Sequence, residues 1–234
     1  ENYNTDFGVA HAILTNLKKR TEYFVAEIGA YRKGEIKKVC EAFPPTISII
    51  TDIDIQHISL FGSKNNLFEA KSEIVRFLKP GGLGILNGDN KNIEKLEKQI
   101  PGETKLVFTN KKKFKKLSED NKVTSHSYLI TNIEQRRYLH FDLVGEEDNS
   151  YSFSIPQKGE HLAMIFGQAI LAAHATGMSY KQIQERLKEL KMELPRMGIE
   201  TGDNDSVIIS DTYNSSKKGF KAALDMVQHI YEGK

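Results

Sequence analysis

Between Thr51 and Glu73 the chain gathers Asp52, Asp54, His57, Lys71 and Glu73 into one polar stretch, TDIDIQHISLFGSKNNLFEAKSE. Carboxylate oxygens and an imidazole are donors that can bind a metal ion. Taken singly, these residues are unremarkable. A lone loop histidine is more often a surface or capping residue than a ligand, and most helix lysines are solvated. Glu27 is a further acidic group, placed near the end of the apolar run Tyr23–Ala30 (YFVAEIGA). A carboxylate in a buried strand is costly unless it is paired or bound to a metal. Pairing with a nearby Lys or Arg and binding a cation explain Glu27 equally well at this level.

The elements that position these residues follow from periodicity. Thr46–Ile53 carries Ile47, Ile49, Ile50 and Ile53 behind Pro44-Pro45, which predicts a buried strand. Asn65–Leu78 carries Leu67, Ala70, Ile74 and Leu78 at helical spacing and is stopped by Pro80-Gly81-Gly82. A strand, a polar loop and then a helix put that loop at the carboxyl end of a sheet, where α/β proteins keep their chemistry. Upstream, Asp6–Lys19 reads as a helix with Val9, Ile13, Leu14 and Leu17 on one face and Asn4, Thr5 and Asp6 as candidate caps. Downstream, Leu83–Asn90 and Thr104–Asn110 read as strands around a helix from Ile93 to Ile100. Asn87 and Asp89 are turn formers in their own right. The β-α alternation argues for a mainly parallel sheet and ends near Lys122. Ser127–Pro156 alternates apolar and polar residues, with turn signals at Gly145 and Asp148-Asn149, and predicts a small antiparallel section. Two helices follow, one from Gly159-Glu160-His161 through Thr176, ended by Gly177, and one from Ser179 to Leu190.

Composition bounds the function. The chain has 234 residues, enough for one large or two smaller domains, and Lys+Arg 33 against Asp+Glu 31 leaves a net charge of only +2. Nothing in that balance demands nucleic acid or an anionic membrane. The basic run Lys111–Lys116 has no aromatic ladder beside it and reads as a solvated helix face. The single cysteine, Cys40, excludes an intramolecular disulfide and a thiolate metal cluster, and its helical setting predicts a core position. No apolar run reaches membrane-spanning length and no signal-peptide pattern opens the chain, so a cytoplasmic protein without membrane insertion is expected.

The combination T-[ND]-I-x-x-x-H-x-x-x-F-G-S followed by A-K-x-E-I, from Thr51 to Ile74, resembles the central ATP-binding domain of the Mur ligases, above all their D-alanyl-D-alanine-adding branch. The resemblance implies a three-layer α/β fold and a Mg²⁺ site made by Glu27, His57 and Lys71, the lysine becoming a carboxylate-like ligand if carbamylated. Asp52 stands where that family usually has Asn. N-x-N-x-x-x-G-V resembles the segment that faces the muramyl-peptide substrate, which implies substrate-binding roles for Asn2 and Asn4. L-N-x-D-[DN] implies nucleotide contacts for Asn87 and Asp89. Gly159 and His161 match a G-x-H element, with Ile165 where the family's adenine-contacting Asn aligns. Pro195-Arg196 and SDTYNSS (Ser210–Ser216) resemble elements at the start of the family's carboxy-terminal domain, implying contacts of Arg196 with phosphate and Asp211 with ribose.

The phosphate-cradling G-x-x-G-K-[ST] loop does not occur in residues 1–234. The implied organisation is thus a central ATP-binding domain over 1–192 without its phosphate-loop segment, and the start of the carboxy-terminal domain over 193–234. The implied activity is ATP-driven amide formation in peptidoglycan synthesis, joining D-alanyl-D-alanine to a UDP-muramyl peptide through an acyl phosphate, with this chain a fragment inactive alone. F-G-S after the histidine and D-x-Y-N favour that branch over the family's other amino-acid-adding ligases and folylpolyglutamate synthetase. A non-catalytic Mur-like binding protein is the alternative from a different class.

Overall fold

The computed structural model describes residues 3–53, 58–94, 96, 100, 104–111, 124–147, 149–157, 159–190, 198–210, 220, 221, 223, 224, 227 and 228. A six-stranded sheet runs in the order β1-β2-β3-β4-β5-β6, with β1 at Ile47–Ile50, β2 at Leu83–Asn87, β3 at Lys105–Asn110, β4 at Thr124–Gln135, β5 at Leu139–Gly145 and β6 at Ser150–Ile155. The first three pairings are parallel, with Ile47 opposite Leu83, Leu83 opposite Lys105 and Lys105 opposite Thr124. Parallel neighbours need long crossovers, and helices supply them. By contrast, β4 and β5 are joined by 136–138 and β5 and β6 by 146–149, connections that permit only antiparallel neighbours. The protein is therefore α/β, a mainly parallel sheet flanked by helices with a small antiparallel section. The chain divides into two units, Glu1–Leu129 with Val144–Asn149, and Ile130–Leu143 with Ser150–Lys234.

In the first unit, α1 (Asp6–Asn16) starts at Thr5, whose Oγ1 accepts the Gly8 N–H at 3.1 Å. Its buried stripe is Gly8, Val9 and Ala12. Leu14, expected on that stripe, is 85% exposed. At roughly 100° per residue it lies about 140° around the helix from Val9, off the covered face. In α2 (Glu35–Ala42), Ile36, Val39 and Cys40 point inward at helical spacing. A short α3 (Ile58–Phe61) precedes α4 (Lys64–Arg76), which is capped by Ser63 Oγ accepting the Asn66 N–H at 3.1 Å. Together they form the β1-to-β2 crossover, and α5 (Lys91–Glu94) opens the β2-to-β3 one. Cys40, Ile50, Phe61, Leu67, Phe68, Ala70, Leu86 and Phe108 share one core. Each fully buried large apolar side chain contributes about 1.5–3 kcal/mol.

Tyr23–Ala30, expected as a buried strand, has no strand structure. Tyr23, Phe24 and Val25 are exposed, Val25 at 93%. β-propensity is realised only when a neighbouring strand supplies hydrogen-bond partners and a face to cover. The segment is tied down at its far end, where the Gly29 N–H donates to Asn4 O at 2.7 Å and Ala30 enters the core. The corresponding expectation that Glu27 is buried fails with the strand, because Glu27 is exposed.

In the second unit, α6 (Leu162–Ala175) turns Ala163, Met164, Phe166, Gly167, Ile170 and Leu171 inward. Gly167 sits against Ile130, whose Cγ1 would lie 3.3 Å from an added Cβ, so the small residue permits close helix-to-strand approach. Gly177, with φ 102°, follows the end of α6. The next helix, α7 (Tyr180–Lys188), begins with a full capping box between Ser179 and Gln182. Phe141 and Phe153 stack at 5.8 Å between centroids. Gly198–Thr201 (β7) and Val207–Ser210 (β8) form an antiparallel pair. Most of residues 215–231 lie outside the described residues, as do Lys112–Lys116. Among the described residues no helix is long and apolar enough to cross a membrane.

Candidate active site

Lys71 lies on α4 between buried Ala70 and buried Ser72, and is itself half-buried. Burial holds its ammonium below the usual lysine range, and the Glu27 carboxylate pulls it part of the way back. Glu27 therefore acts electrostatically on Lys71 from a segment more than one helix away in sequence. A lysine with a lowered pKa has more free amine at neutral pH and is the kind used for covalent chemistry.

Glu27 and Asn4 line one pocket of about 210 Å³, together with Tyr3, Ala12 and Phe24. The amino-terminal segment and the 24–27 segment are held together there by the Gly29-to-Asn4 backbone bond. Among the described residues no cluster of three or more His, Cys, Asp or Glu side chains forms a ready metal site. Glu27 offers one hard oxygen donor, and Lys71 would offer another only as its carbamate. That donor chemistry fits a hard cation such as Mg²⁺.

A second set of polar residues occupies the carboxyl ends of the parallel strands. Asn87 Nδ2 donates to Thr51 O at 3.1 Å, joining the end of β2 to the end of β1, and Asn87 Oδ1 accepts the Asp89 N–H at 3.1 Å. Asp89 Oδ2 in turn accepts the Lys111 N–H at 2.9 Å, just beyond β3. Asp52 Oδ1 accepts the Ile53 N–H at 2.9 Å and a hydrogen bond from Asn90 Nδ2, which also donates to Ile53 O at 3.1 Å. Asn87 and Asp89 thus serve as turn formers that lace three strand ends together. Their side chains contact Thr51 and Lys111. Asn2, His57, Arg196 and Asp211 lie outside the described residues.

Glu73 had no role assigned from sequence. It is 4% exposed, and its two oxygens accept the Gly34 N–H at 2.7 Å and the Lys37 N–H at 2.9 Å. Its sequence signal is its place in A-K-x-E-I, a carboxylate two positions beyond Lys71.

Residues 1–173 match the Mur ligase middle domain family. The UDP-N-acetylmuramoyl-tripeptide–D-alanyl-D-alanine ligase of Bacillus subtilis is 29% identical over 230 residues, which cover 98% of this chain and 46% of that protein. The Haemophilus influenzae enzyme of the same name is 24% identical, over 97% of this chain and 46% of its own length. The chain spans about half the length of these curated relatives. Among solved structures, MurF from Acinetobacter baumannii superposes with a TM-score of 0.79 at 25% identity, covering 97% of this chain and 47% of that one. The fold also matches a MurF ligase from Thermotoga maritima in complex with ADP, with a TM-score of 0.73 at 19% identity over 95% of this chain and 48% of that one.

Proposed function

Because the chain belongs to the Mur ligase family through its middle domain, we propose that it forms part of an ATP-dependent ligase of peptidoglycan precursor synthesis. Its substrates would be UDP-N-acetylmuramoyl-tripeptide and D-alanyl-D-alanine, those in the names of its relatives. The substrate carboxylate attacks the γ-phosphorus of ATP, releasing ADP and forming an acyl phosphate. The amine of D-alanyl-D-alanine then attacks the acyl carbon, phosphate leaves, and the amine's proton passes to solvent. We assign residues 1–192 to the central domain and 193–234 to the start of the next, and expect catalysis to need the remainder of a full-length ligase.

The observation that carries this proposal is the match of residues 1–173 to the Mur ligase middle domain, and a half-buried Lys71 of lowered pKa accords with it. The free amine of Lys71 can attack CO₂, forming an N–C bond and losing a proton to water, to give a carbamate. Burial thereby converts a cation into an anionic oxygen donor. Glu27, His57 and that carbamate would hold Mg²⁺, which when bound stabilises charge on the transferring phosphoryl group. Asn87 and Asp89 would present the strand ends to the nucleotide, and Arg196 and Asp211 would reach its phosphate and ribose. Asn2 and Asn4 would face the muramyl peptide, Asn4 across the pocket that it shares with Glu27.

The test is ¹³C NMR of the chain in ¹³C-bicarbonate at mildly alkaline pH. A carbamate resonance is expected that disappears in Lys71→Arg. Its absence from the unsubstituted chain would remove Lys71 from the proposed metal site.

A further inference from the structure

The helix α1 is apolar on two faces. Val9 and Ala12 turn inward at 2% and 8% exposure. Phe7, Ala10 and Leu14 stand at i, i+3 and i+7 and form a second stripe. At roughly 100° per residue the middle of that stripe lies about 160° around the helix from the middle of the first. Phe7 is 77% and Leu14 85% exposed, so the second stripe faces solvent. It continues beyond the helix through stacked rings, Phe7 with His11 at 6.3 Å and His11 with Tyr3 at 5.5 Å between centroids. Single exposed apolar side chains are ordinary, but a helix apolar all round is a buried helix, and a contiguous apolar patch marks an interaction site.

Two facts identify what covers it. The chain spans 46% of the Bacillus subtilis and Haemophilus influenzae relatives, so more than half of a ligase of that size lies outside these residues. The phosphate-cradling G-x-x-G-K-[ST] loop is also absent from residues 1–234, and such a loop is built as strand, loop and helix. That helix brings an apolar stripe of its own, which has to be buried against another element.

We propose that the Phe7–Ala10–Leu14 stripe is the docking surface for the helix that follows the phosphate-cradling loop, supplied by the part of the ligase outside these residues. The inference rests on the reading of the chain as part of an ATP-dependent ligase. Phe7 and Leu14 are ridge residues on either side of the small Ala10, which lets the partner helix approach. Tyr3 belongs both to the ring stack and to the pocket that holds Asn4 and Glu27. Docking on this stripe therefore sets the phosphate loop's helix beside the groups assigned to metal and muramyl peptide.

The test is photo-crosslinking in the full-length ligase, with Leu14→Cys labelled by a maleimide benzophenone and other exposed cysteines replaced by serine. Cys40 is buried and stays unlabelled. The expected product is a link within one chain to the first three turns after G-x-x-G-K-[ST], located by peptide mass spectrometry. A link to another segment, a link between two copies, or no link overturns the proposal. The Phe7→Ser, Leu14→Ser double variant gives a second reading by urea unfolding. In this chain it should change the unfolding constant less than about fivefold, as exposed substitutions do. In the full-length ligase the loss should be at least about thirtyfold, as for buried apolar side chains, and equal effects in the two proteins overturn the proposal. Phosphate release from ATP with UDP-N-acetylmuramoyl-tripeptide and D-alanyl-D-alanine tests the ligase reading on the unsubstituted full-length protein. An active ligase crosslinked elsewhere refutes the docking alone, whereas an inactive one refutes the reading beneath it.

Discussion

Replacing Gly88 with alanine probes the strand ends at their tightest point. Gly88 lies between Asn87 and Asp89, and an added Cβ would fall on the Asn110 carboxamide, 2.9 Å from Cγ and closer still to Oδ1. Asn110 is only 3% exposed, and its Nδ2 donates to Ser127 Oγ at 2.8 Å, linking β3 to β4. The amide cannot yield without stretching that bond, and the pocket around it is closed. Overpacking costs about 1–3 kcal/mol, and a buried polar group left without its partner about the same again. Gly88→Ala is therefore expected to destabilise the chain by about 2–6 kcal/mol. Urea unfolding followed by circular dichroism measures it, provided the transition stays two-state and the m-value is unchanged. Asn110→Ala supplies the control, because with the carboxamide gone the new methyl has room. In that background Gly88→Ala should cost under about 1 kcal/mol, since substitutions in contact are not additive. Equal costs in the two backgrounds would show that Asn110 is not the obstacle.

Three further outcomes follow from the charged and buried groups. The folded-state pKa of Lys71 is below its unfolded value, so between the two the unfolded chain binds more protons and stability rises with pH. Lys71→Met should accordingly be neutral or stabilising at pH 7, by urea unfolding, and its advantage should shrink as pH approaches the ordinary lysine value of 10.5. Glu69 has a carboxyl held below its ordinary value of 4.5, first by its hydrogen bonds with Arg76. Its contribution is present above that value and lost as pH falls through the folded pKa, so Glu69→Gln should flatten the acid limb of a stability–pH curve. Burial, with help from Glu73, pushes the Cys40 thiol from 9.0 to about 11, which lowers its thiolate fraction about a hundredfold at pH 8. Reaction with a thiol reagent should be at least that much slower than in the urea-unfolded chain, and a native rate near the unfolded one would contradict the burial of Cys40.

Local chemistry in the sequence located most elements. Thr5, Ser63 and Ser179 cap helices because a short side-chain oxygen can reach the amides of the next turn, a relation contained in four consecutive residues. The isoleucines of β1 and the apolar core of β2 were equally plain, since a doubly covered strand has to be apolar throughout. Tyr23–Ala30 misled for the complementary reason. Its composition suits a strand, but a strand exists only with a partner, and partners are specified elsewhere in the chain. Leu14 misled because a stripe drawn through Val9 and Ile13 also accepts a residue one step off the covered face. Within the site, Asn87 and Asp89 were legible as turn formers, but the links to Thr51 and Lys111 depend on sheet register and could not be read. Glu73 escaped assignment because its amide partners lie 39 and 36 residues away.

The mixture of ladder types in one sheet has a consequence for the order in which the protein folds. The β4–β5–β6 section is joined by short turns, so its ladders can close with little loss of chain entropy. The β1–β2 and β2–β3 ladders must wait for α3, α4 and α5 to bring distant strands side by side, and such non-local pairing is slow. In a pulse-labelling experiment the Gly145 amide, bonded to Asn149 O at 2.9 Å, should become protected before the Leu83 amide, bonded to Thr46 O at 2.9 Å. The strand ends that carry Asn87 and Asp89 would then be among the last parts of the sheet to form, and a refolding chain would own its antiparallel section well before it owned a site.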